Sequence, residues 1–440
     1  GFVYTFSRRL AGSRAALLSA LVLLSTPLFA VVGRLSLTDM PFTFCVSVAL
    51  GCFLCAVEGA PGCYLVLGYL ALGLALLAKG PLALVLTALV LLPYLLSRSR
   101  NPGEFLLSVR RLKPLLGAAL VGLVAAPWYI AVSMATKGEF AREFFINQNL
   151  GRAAGQTVHR NLAPWYYLPF VFGGGAPWSI LLLTGIPWLS SRVFRLGATA
   201  GRVRLLQYCT IWLTGMFVFF SVVPTKLSTY ILPVLPALAV IVGCQLDVLM
   251  KARKVRRYAF TGALLAIAAV AALVALPKAA RCLPGGLPPA AGLLLLLSVA
   301  FCVCTVQLWH QHARAALRLL VATSLVATAV LVPGGLTVYH CLHQAGFHRL
   351  VLKVKNSGGS AAFIGPSVFS SAFYLGRAVP AIENQQDFQR FLADGADKHW
   401  LFIHRARLKH LAWARCPARL TEQQGKWYLY EIGEAIPAKR

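Results

Sequence analysis

Eleven apolar runs, most close to 20 residues long, succeed one another along this chain: residues 14–33, 38–57, 63–79, 81–97, 114–133, 164–189, 205–222, 228–249, 258–276, 288–308 and 314–334. About 20 apolar residues is what an α-helix needs to cross the hydrocarbon core of a bilayer. Residues 63–97 are too long for one crossing, and Lys79-Gly80-Pro81 supplies the break, because proline cannot continue a helix. With 58% of residues hydrophobic, 12% charged and a mean hydropathy of +0.71, a soluble globular fold is excluded. The expected class is an all-α polytopic membrane protein.

The formal net charge of +29 could suggest nucleic acid. Its distribution excludes that partner. The lysines and arginines sit in short loops between the runs, where they set orientation in the bilayer and can meet anionic lipid phosphates. The rich loops carry Arg8/Arg9/Arg14, the residues 98–113, Arg192 to Arg204, Lys251 to Arg257, and Arg314/Arg318. The alternate loops are poorer, so the rich set is read as cytoplasmic. Most of the 11 cysteines lie inside apolar runs and act as small hydrophobes, Cys52 and Cys55 included. Cys341 and Cys416 fall in the polar tail, where pairing is open.

Two segments do not cross. Residues 138–163 carry Glu139, Arg142, Glu143, Arg152, His159 and Arg160, with Phe140, Phe144 and Leu150 at helical spacing; this reads as a segment lying in the membrane interface. It divides nothing: the membrane domain is expected over 1–338. Residues 339–440 read as a small α/β domain, placed outside the membrane by the odd span count. Its expected strands are 361–365, 377–382, 399–404 and 426–432, with helices at 388–395 and 406–414. It has no Gly-rich phosphate loop and no metal-spaced His/Cys set.

Carboxylates number 13, and only Asp39, Glu139 and Glu143 fall on the outer face of the membrane domain. Asp39 opens a span, as a helix cap or as a site acid. Lys79 is a cation on the side where lysine is disfavoured, held by the Gly-Pro break; it is either a snorkelling side chain or a phosphate ligand. Lys226 and Tyr230 stand at the mouth of a later span, four apart, on one face if a helix starts by Thr225. A lone interfacial His159 is more often structural than a ligand. Lys79, Arg152, Arg160 and Lys226, among few acids, suit an anionic lipid-borne phosphate.

As a set, RLSLTDMPFTF, GLALLAKGPLALVL, FFINQNLGR, PWYYLPF and PTKLSTYILPVLPALAV resemble the family 39 membrane glycosyltransferases, in particular the 4-amino-4-deoxy-L-arabinose transferase-like proteins, relatives of protein O-mannosyltransferases. The resemblance covers about residues 1–250 in order. It implies a GT-C fold and transfer, with inversion, of a sugar from a polyprenyl phosphate, typically undecaprenyl phosphate, to a lipid or protein acceptor at the outer face of the bacterial inner membrane, with the C-terminal domain periplasmic.

By that resemblance Asp39 matches a catalytic-site acid in a supporting role. Lys79, Arg152, Lys226 and Tyr230 match donor-phosphate residues. Glu143, His159 and Arg160 fall in the interfacial loop, where the matching histidine binds zinc in some members. No cofactor is required otherwise. The family's first outer loop and two earliest spans would precede residue 1, so this chain reads as lacking its N-terminal part; Gln148-Asn149 is a second departure. Two other readings are a lipid-linked-sugar transporter, which would place ionisable groups at mid-span in two related halves, and an inactive membrane scaffold.

Overall fold

The computed structural model describes residues 1–35, 37–144, 163–182, 199–250, 259–279, 287–339, 345–364, 369–382, 384–405, 407–408, 418–424 and 426–432. Two compact units emerge: one of residues 1–278 with 287–333, the other of 279–286 with 334–440.

In the first unit, apolar helices stand where the apolar runs lie. Among the described residues, five are long and apolar enough to cross a membrane: Asp39–Val57, Pro102–Ala135, Ala200–Val222, Ser228–Leu249 and Ala313–Val330. Shorter apolar helices cover Ser13–Leu24, Cys63–Lys79, Leu82–Arg98, Gly262–Ala271 and Leu294–Trp309. The Gly-Pro break is present: the Cys63–Lys79 helix ends on Gly80 at φ +68°, a backbone state open to glycine, and Pro81 precedes Leu82–Arg98. The run at 164–189 reaches residues outside those described.

Two runs are broken where the sequence suggests continuity. The first stops at Leu24 and resumes at Pro27–Val32. In lipid the freed backbone groups need partners. Ser25 and Thr26 turn their hydroxyls back onto the carbonyls of Leu21 and Val22 (2.6 and 2.7 Å), Thr328 donates to the Ser25 carbonyl (3.1 Å), and the Trp178 indole donates to Ser25 Oγ (3.0 Å). The second break replaces the first turns of the 228–249 run by a 3-10 helix, Ser228–Val234, before the α-helix Leu235–Leu249.

Packing follows membrane rules, with small residues at crossings. A Cβ placed on Gly243 would lie 2.5 Å from the Ser19 amide nitrogen and 2.6 Å from its Cα, so the Leu235–Leu249 and Ser13–Leu24 helices touch backbone to backbone. Buried aromatic donors end on carbonyls: Tyr208 on Leu50 (2.9 Å), Tyr69 on Leu112 (2.8 Å) and Trp212 on Pro233 (2.8 Å).

Ion pairs join residues read as lying on the same side. Arg202 bonds Asp247 (2.9 Å) and Arg14 stands 3.9 Å from that carboxylate; Arg204 pairs with Glu58, which also accepts from Tyr94 (2.7 Å). Arg14, Arg202 and Arg204 belong to the loops read as cytoplasmic. Asp39 pairs with Lys79, both read as outer.

The second unit is a five-stranded sheet with strands β1 (Ser360–Ile364), β2 (Ala381–Ile382), β3 (His399–His404), β4 (Ala418–Gln424) and β5 (Trp427–Ile432), in the order β2-β1-β3-β5-β4. β2, β1 and β3 are parallel; β5 runs antiparallel to β3, and β4 antiparallel to β5. The strands alternate between two cores. Ala361, Phe363, Trp400 and Phe402 meet Phe347, Leu350, Val351 and Val354 of the Ala345–Ser357 helix on one face. Ala362, Ile364, Leu401 and Ile403 meet Phe388 and Phe391 of the Gln385–Leu392 helix on the other. The expected α/β character holds. β4 and the helices Ala345–Ser357 and Phe369–Leu375 add to the expected elements, the expected strand 377–382 shrinks to 381–382, and most of the expected helix 406–414 lies outside the described residues.

Candidate functional site: a paired lysine at the mouth of the spans

The Asp39–Val57 and Cys63–Lys79 helices pack together as an antiparallel hairpin, so the start of the first and the end of the second lie at one level. That places an acid at a helix N-terminus and a base at a helix C-terminus, where each macrodipole favours the charge it meets. Lys79 Nζ donates to Asp39 Oδ1 at 2.6 Å, with side chains only 15% and 12% exposed. The alternative role for Asp39, capping, is not the one adopted: Thr38 is the N-cap and no side-chain cap bond forms.

The ammonium has aromatic walls. Lys79 Nζ lies 4.6 Å from the Tyr230 ring centroid and 5.4 Å from that of Phe42, both within cation–π reach. Phe42 is three residues after Asp39 and shares its helix face, a spacing the sequence carries. Tyr230 arrives on the 3-10 helix and packs on Phe220 (6.2 Å), which packs on Tyr167 (6.2 Å), which meets Tyr166 edge-on (5.0 Å).

Lys226 belongs to the extended link before that 3-10 helix, not to a helix shared with Tyr230, because helical backbone starts only at Ser228. It is 3% exposed, donates to the Val223 carbonyl at 2.7 Å, and burial lowers its pKa. The structure thus brings Asp39, Lys79 and Tyr230 into direct contact and puts Lys226 on the segment leading into Tyr230.

The segment read as interfacial starts with the helical spacing expected of it. Residues 139–144 are helical, and Phe140 and Phe144 stack one turn apart (5.2 Å). Phe140 meets Trp128 edge-on (5.3 Å) and Phe144 packs on Tyr129 (5.8 Å). Tyr129 in turn donates to the Leu76 carbonyl at 2.8 Å, in the last turn of the helix that bears Lys79. Glu143 is exposed on that short helix. Tyr129 also lines a groove of about 500 Å³, with Leu76, Ala125, Ile130 and Ser133. Arg152, His159 and Arg160 lie outside the described residues. Among the described residues no three His, Cys, Asp or Glu side chains come together as metal ligands.

A charged pair walled by aromatics thus stands at one end of a bundle of apolar helices, the architecture of a polytopic membrane protein. Comparison with known proteins agrees. The family model for dolichyl-phosphate-mannose-protein mannosyltransferase matches residues 1–130. An undecaprenyl phosphate-alpha-4-amino-4-deoxy-L-arabinose arabinosyl transferase 1 of Pseudomonas fluorescens Pf-5 is 32% identical over 280 residues, 62% of this chain and 48% of that protein. The Pseudomonas aeruginosa UCBPP-PA14 transferase is 32% identical over 250 residues, 54% of this chain and 42% of its own length. The chain therefore spans less than half the length of the curated relatives it matches. The crystal structure of ArnT from Cupriavidus metallidurans in the apo state superposes with a TM-score of 0.76 at 21% identity, covering 98% of this chain and 81% of that one; its complex with undecaprenyl phosphate gives 0.73 at 22%. The chain is similar in sequence to aminoarabinose transferases over the matched residues, and in fold to ArnT over nearly its whole length.

Proposed function

We propose that the protein of which this chain is part transfers a sugar from undecaprenyl phosphate to a lipid or protein acceptor at the outer face of the bacterial inner membrane, with residues 339–440 periplasmic and residues 1–338 forming the membrane domain of eleven spans. The observation that carries this reading is Lys79, held buried between the Asp39 carboxylate and the Tyr230 ring at one end of the spans. The relatives named as undecaprenyl-phosphate aminoarabinose transferases, and the ArnT structure that holds undecaprenyl phosphate, support it.

In this reading the acceptor oxygen attacks the anomeric carbon from the side opposite the phosphate. The bond from that carbon to the phosphate oxygen breaks, its electron pair leaves with the polyprenyl phosphate, and the configuration inverts. The developing charge needs fixed cations in a water-poor site, where they act most strongly. Lys79, Lys226 and Arg152 serve that role, with Tyr230 holding Lys79 in place. A hydroxyl acceptor also gives up a proton, and a carboxylate base contributes about 10²–10⁴-fold. Asp39, engaged with Lys79, supports the cation and is not assigned as that base. The groove beside Tyr129 suits the apolar chain of the carrier. Zinc enters only through His159, and no step is assigned to it. Glu143, His159 and Arg160 keep the interfacial-loop assignment that the resemblance implies.

The test is transfer from a radiolabelled undecaprenyl-phosphate sugar by the full-length parent in membranes. Lys79→Ala and Lys226→Ala are expected to lower the rate by at least about 10²-fold, the scale of losing one electrostatic contact to the transition state. Wild-type rates in both variants refute the phosphate roles.

A further inference from the structure

The C-terminal unit has a feature that transfer in the membrane does not use. In its sheet, β1 and β3 are parallel neighbours, and the chain leaves them in opposite directions: from β1 to β2 on one side, from β3 towards β4 and β5 on the other. In an open α/β sheet such a switch point leaves a crevice outside the carboxyl ends of the strands, the usual place for a ligand.

Charge is sorted along the strands. At the amino end of β3, Asp394 bonds His399 (3.0 Å) and Glu431, opposite Trp400, faces Lys398 (3.9 Å). At the carboxyl end stand His404, Arg405, Arg407 and Lys426. Two segments bring them together: the Arg405 amide donates to the Lys426 carbonyl at 2.7 Å, which carries the β3–β5 ladder one step past the sheet. Arg405, Arg407 and Lys426 are exposed. The His404 ring sits edge-on to Trp427 at 5.1 Å, fixing the floor between the two segments. No acid occurs in the sequence between Asp397 and Glu422, and Glu422, two residues short of this end on β4, is taken up by Lys353 (3.0 Å). Four basic residues, two of them arginines, thus stand at the carboxyl end of β3, the strand that borders the switch point. A guanidinium fork matches phosphate oxygens two at a time.

We propose that the carboxyl end of β3, where the chain leaves the sheet beside the start of β5, is a binding site for a phosphate-bearing headgroup, with Arg405 and Arg407 as its forks and His404 and Lys426 as flanking donors. The chemistry is that of a mono- or diphosphate ester, carried by a lipid or free in solution. The site is separate from the Asp39–Lys79 pair, so its failure leaves the transfer reading untouched, and the reverse.

The experiment uses the full chain in phosphatidylcholine nanodiscs. Phenylglyoxal labelling of Arg405 and Arg407 is followed by peptide mass spectrometry, with the 79%-exposed Arg390 side chain as reference. Inorganic pyrophosphate is expected to slow both labels about fivefold at roughly four times its dissociation constant, leaving Arg390 unchanged. The same protection in phosphatidylglycerol nanodiscs without pyrophosphate assigns the group to a lipid headgroup; protection by pyrophosphate alone assigns it to a soluble phosphate. Arg405→Gln with Lys426→Gln should remove the protection of Arg407. Unchanged labelling throughout overturns the proposal. So does protection shared equally by Arg390, since a surface field and not a site would then be at work.

Discussion

Removing Asp39 isolates the role of the buried pair. At 2.6 Å, two unit charges in a medium of effective dielectric about 20 attract by about 6 kcal/mol. Desolvation of both groups offsets much of this, but deleting one partner leaves the other charged and buried, and such deletions destabilise by about 3–5 kcal/mol. Asp39→Ala leaves Lys79 with only its aromatic walls among the partners described above. For a helical unit of this size, unfolding entropy makes each kcal/mol worth about 1.5 °C, so the apparent midpoint in detergent should fall by about 4–8 °C. The double variant Asp39→Ala/Lys79→Met removes both charges and should recover most of that loss, because a buried pair replaced by apolar groups is often neutral. The assay is thermal unfolding of all three variants in one detergent, read as a double-mutant cycle. Additive losses, with the double variant worse than either single one, would refute the reasoning: the two side chains would then be acting independently.

Three further outcomes follow from the same geometry. Tyr230→Leu should weaken the hold on Lys79 by about 0.5–2 kcal/mol, while Tyr230→Phe keeps the ring and the stability; equal falls in thermal midpoint for both would assign the effect to the hydroxyl. Gly243→Ala should lower the midpoint even though alanine favours a helix over glycine by about 1 kcal/mol, because the added Cβ meets Ser19 backbone 2.5–2.6 Å away; a midpoint unchanged or raised would show that the two helices are not in this contact. In the C-terminal unit, burial opposes ionisation of Asp394, but hydrogen bonds from Ser360, the Ala396 amide and His399 outweigh it and hold the carboxyl below its usual range. A depressed folded-state pKa stabilises above the unfolded value and is lost as pH falls through the folded one. Hydrogen exchange at β3, corrected for intrinsic rates, should therefore speed up below about pH 4, and Asp394→Asn should flatten that dependence.

Much of this fold is legible in the chain because lipid imposes simple rules. A run of apolar residues must be a helix, so the helices fall where the runs lie, and the Gly80-Pro81 break follows from backbone chemistry alone. The spacing of Phe140 and Phe144 gives a shared helix face, and they do stack. What stays hidden depends on partners distant in sequence. The bend at Ser25-Thr26 looks like ordinary apolar helix because its stabilising groups, Trp178 and Thr328, come 153 and 303 residues later. β4, Ala-Arg-Leu-Thr at its start and polar at its end, lacks the apolar run Trp400–Ile403 of β3 because it is an edge strand with less to bury. The Ala345–Ser357 helix shows its apolar stripe only once Phe347, Leu350, Val351 and Val354 have a sheet to cover.

The site itself was half legible. Scarcity singled out Asp39, Lys79 and Lys226, since ionisable groups near membrane depth are expensive and need a reason. It could not show that Asp39 and Lys79, 40 residues apart, neutralise one another. That pairing changes the electrostatic argument. A cation already matched by a carboxylate at 2.6 Å presents little net charge to a phosphate, so the closed pair and a bound phosphate compete for one ammonium. The donor phosphate must then draw Lys79 partly off Asp39, or take its charge compensation from Lys226 and Arg152. In the first case Asp39 sets how strongly Lys79 is released, and Asp39→Asn should tighten phosphate binding while lowering stability. In the second it should change stability alone. Undecaprenyl phosphate affinity measured beside thermal midpoint in that one variant separates the two, because only the first couples them.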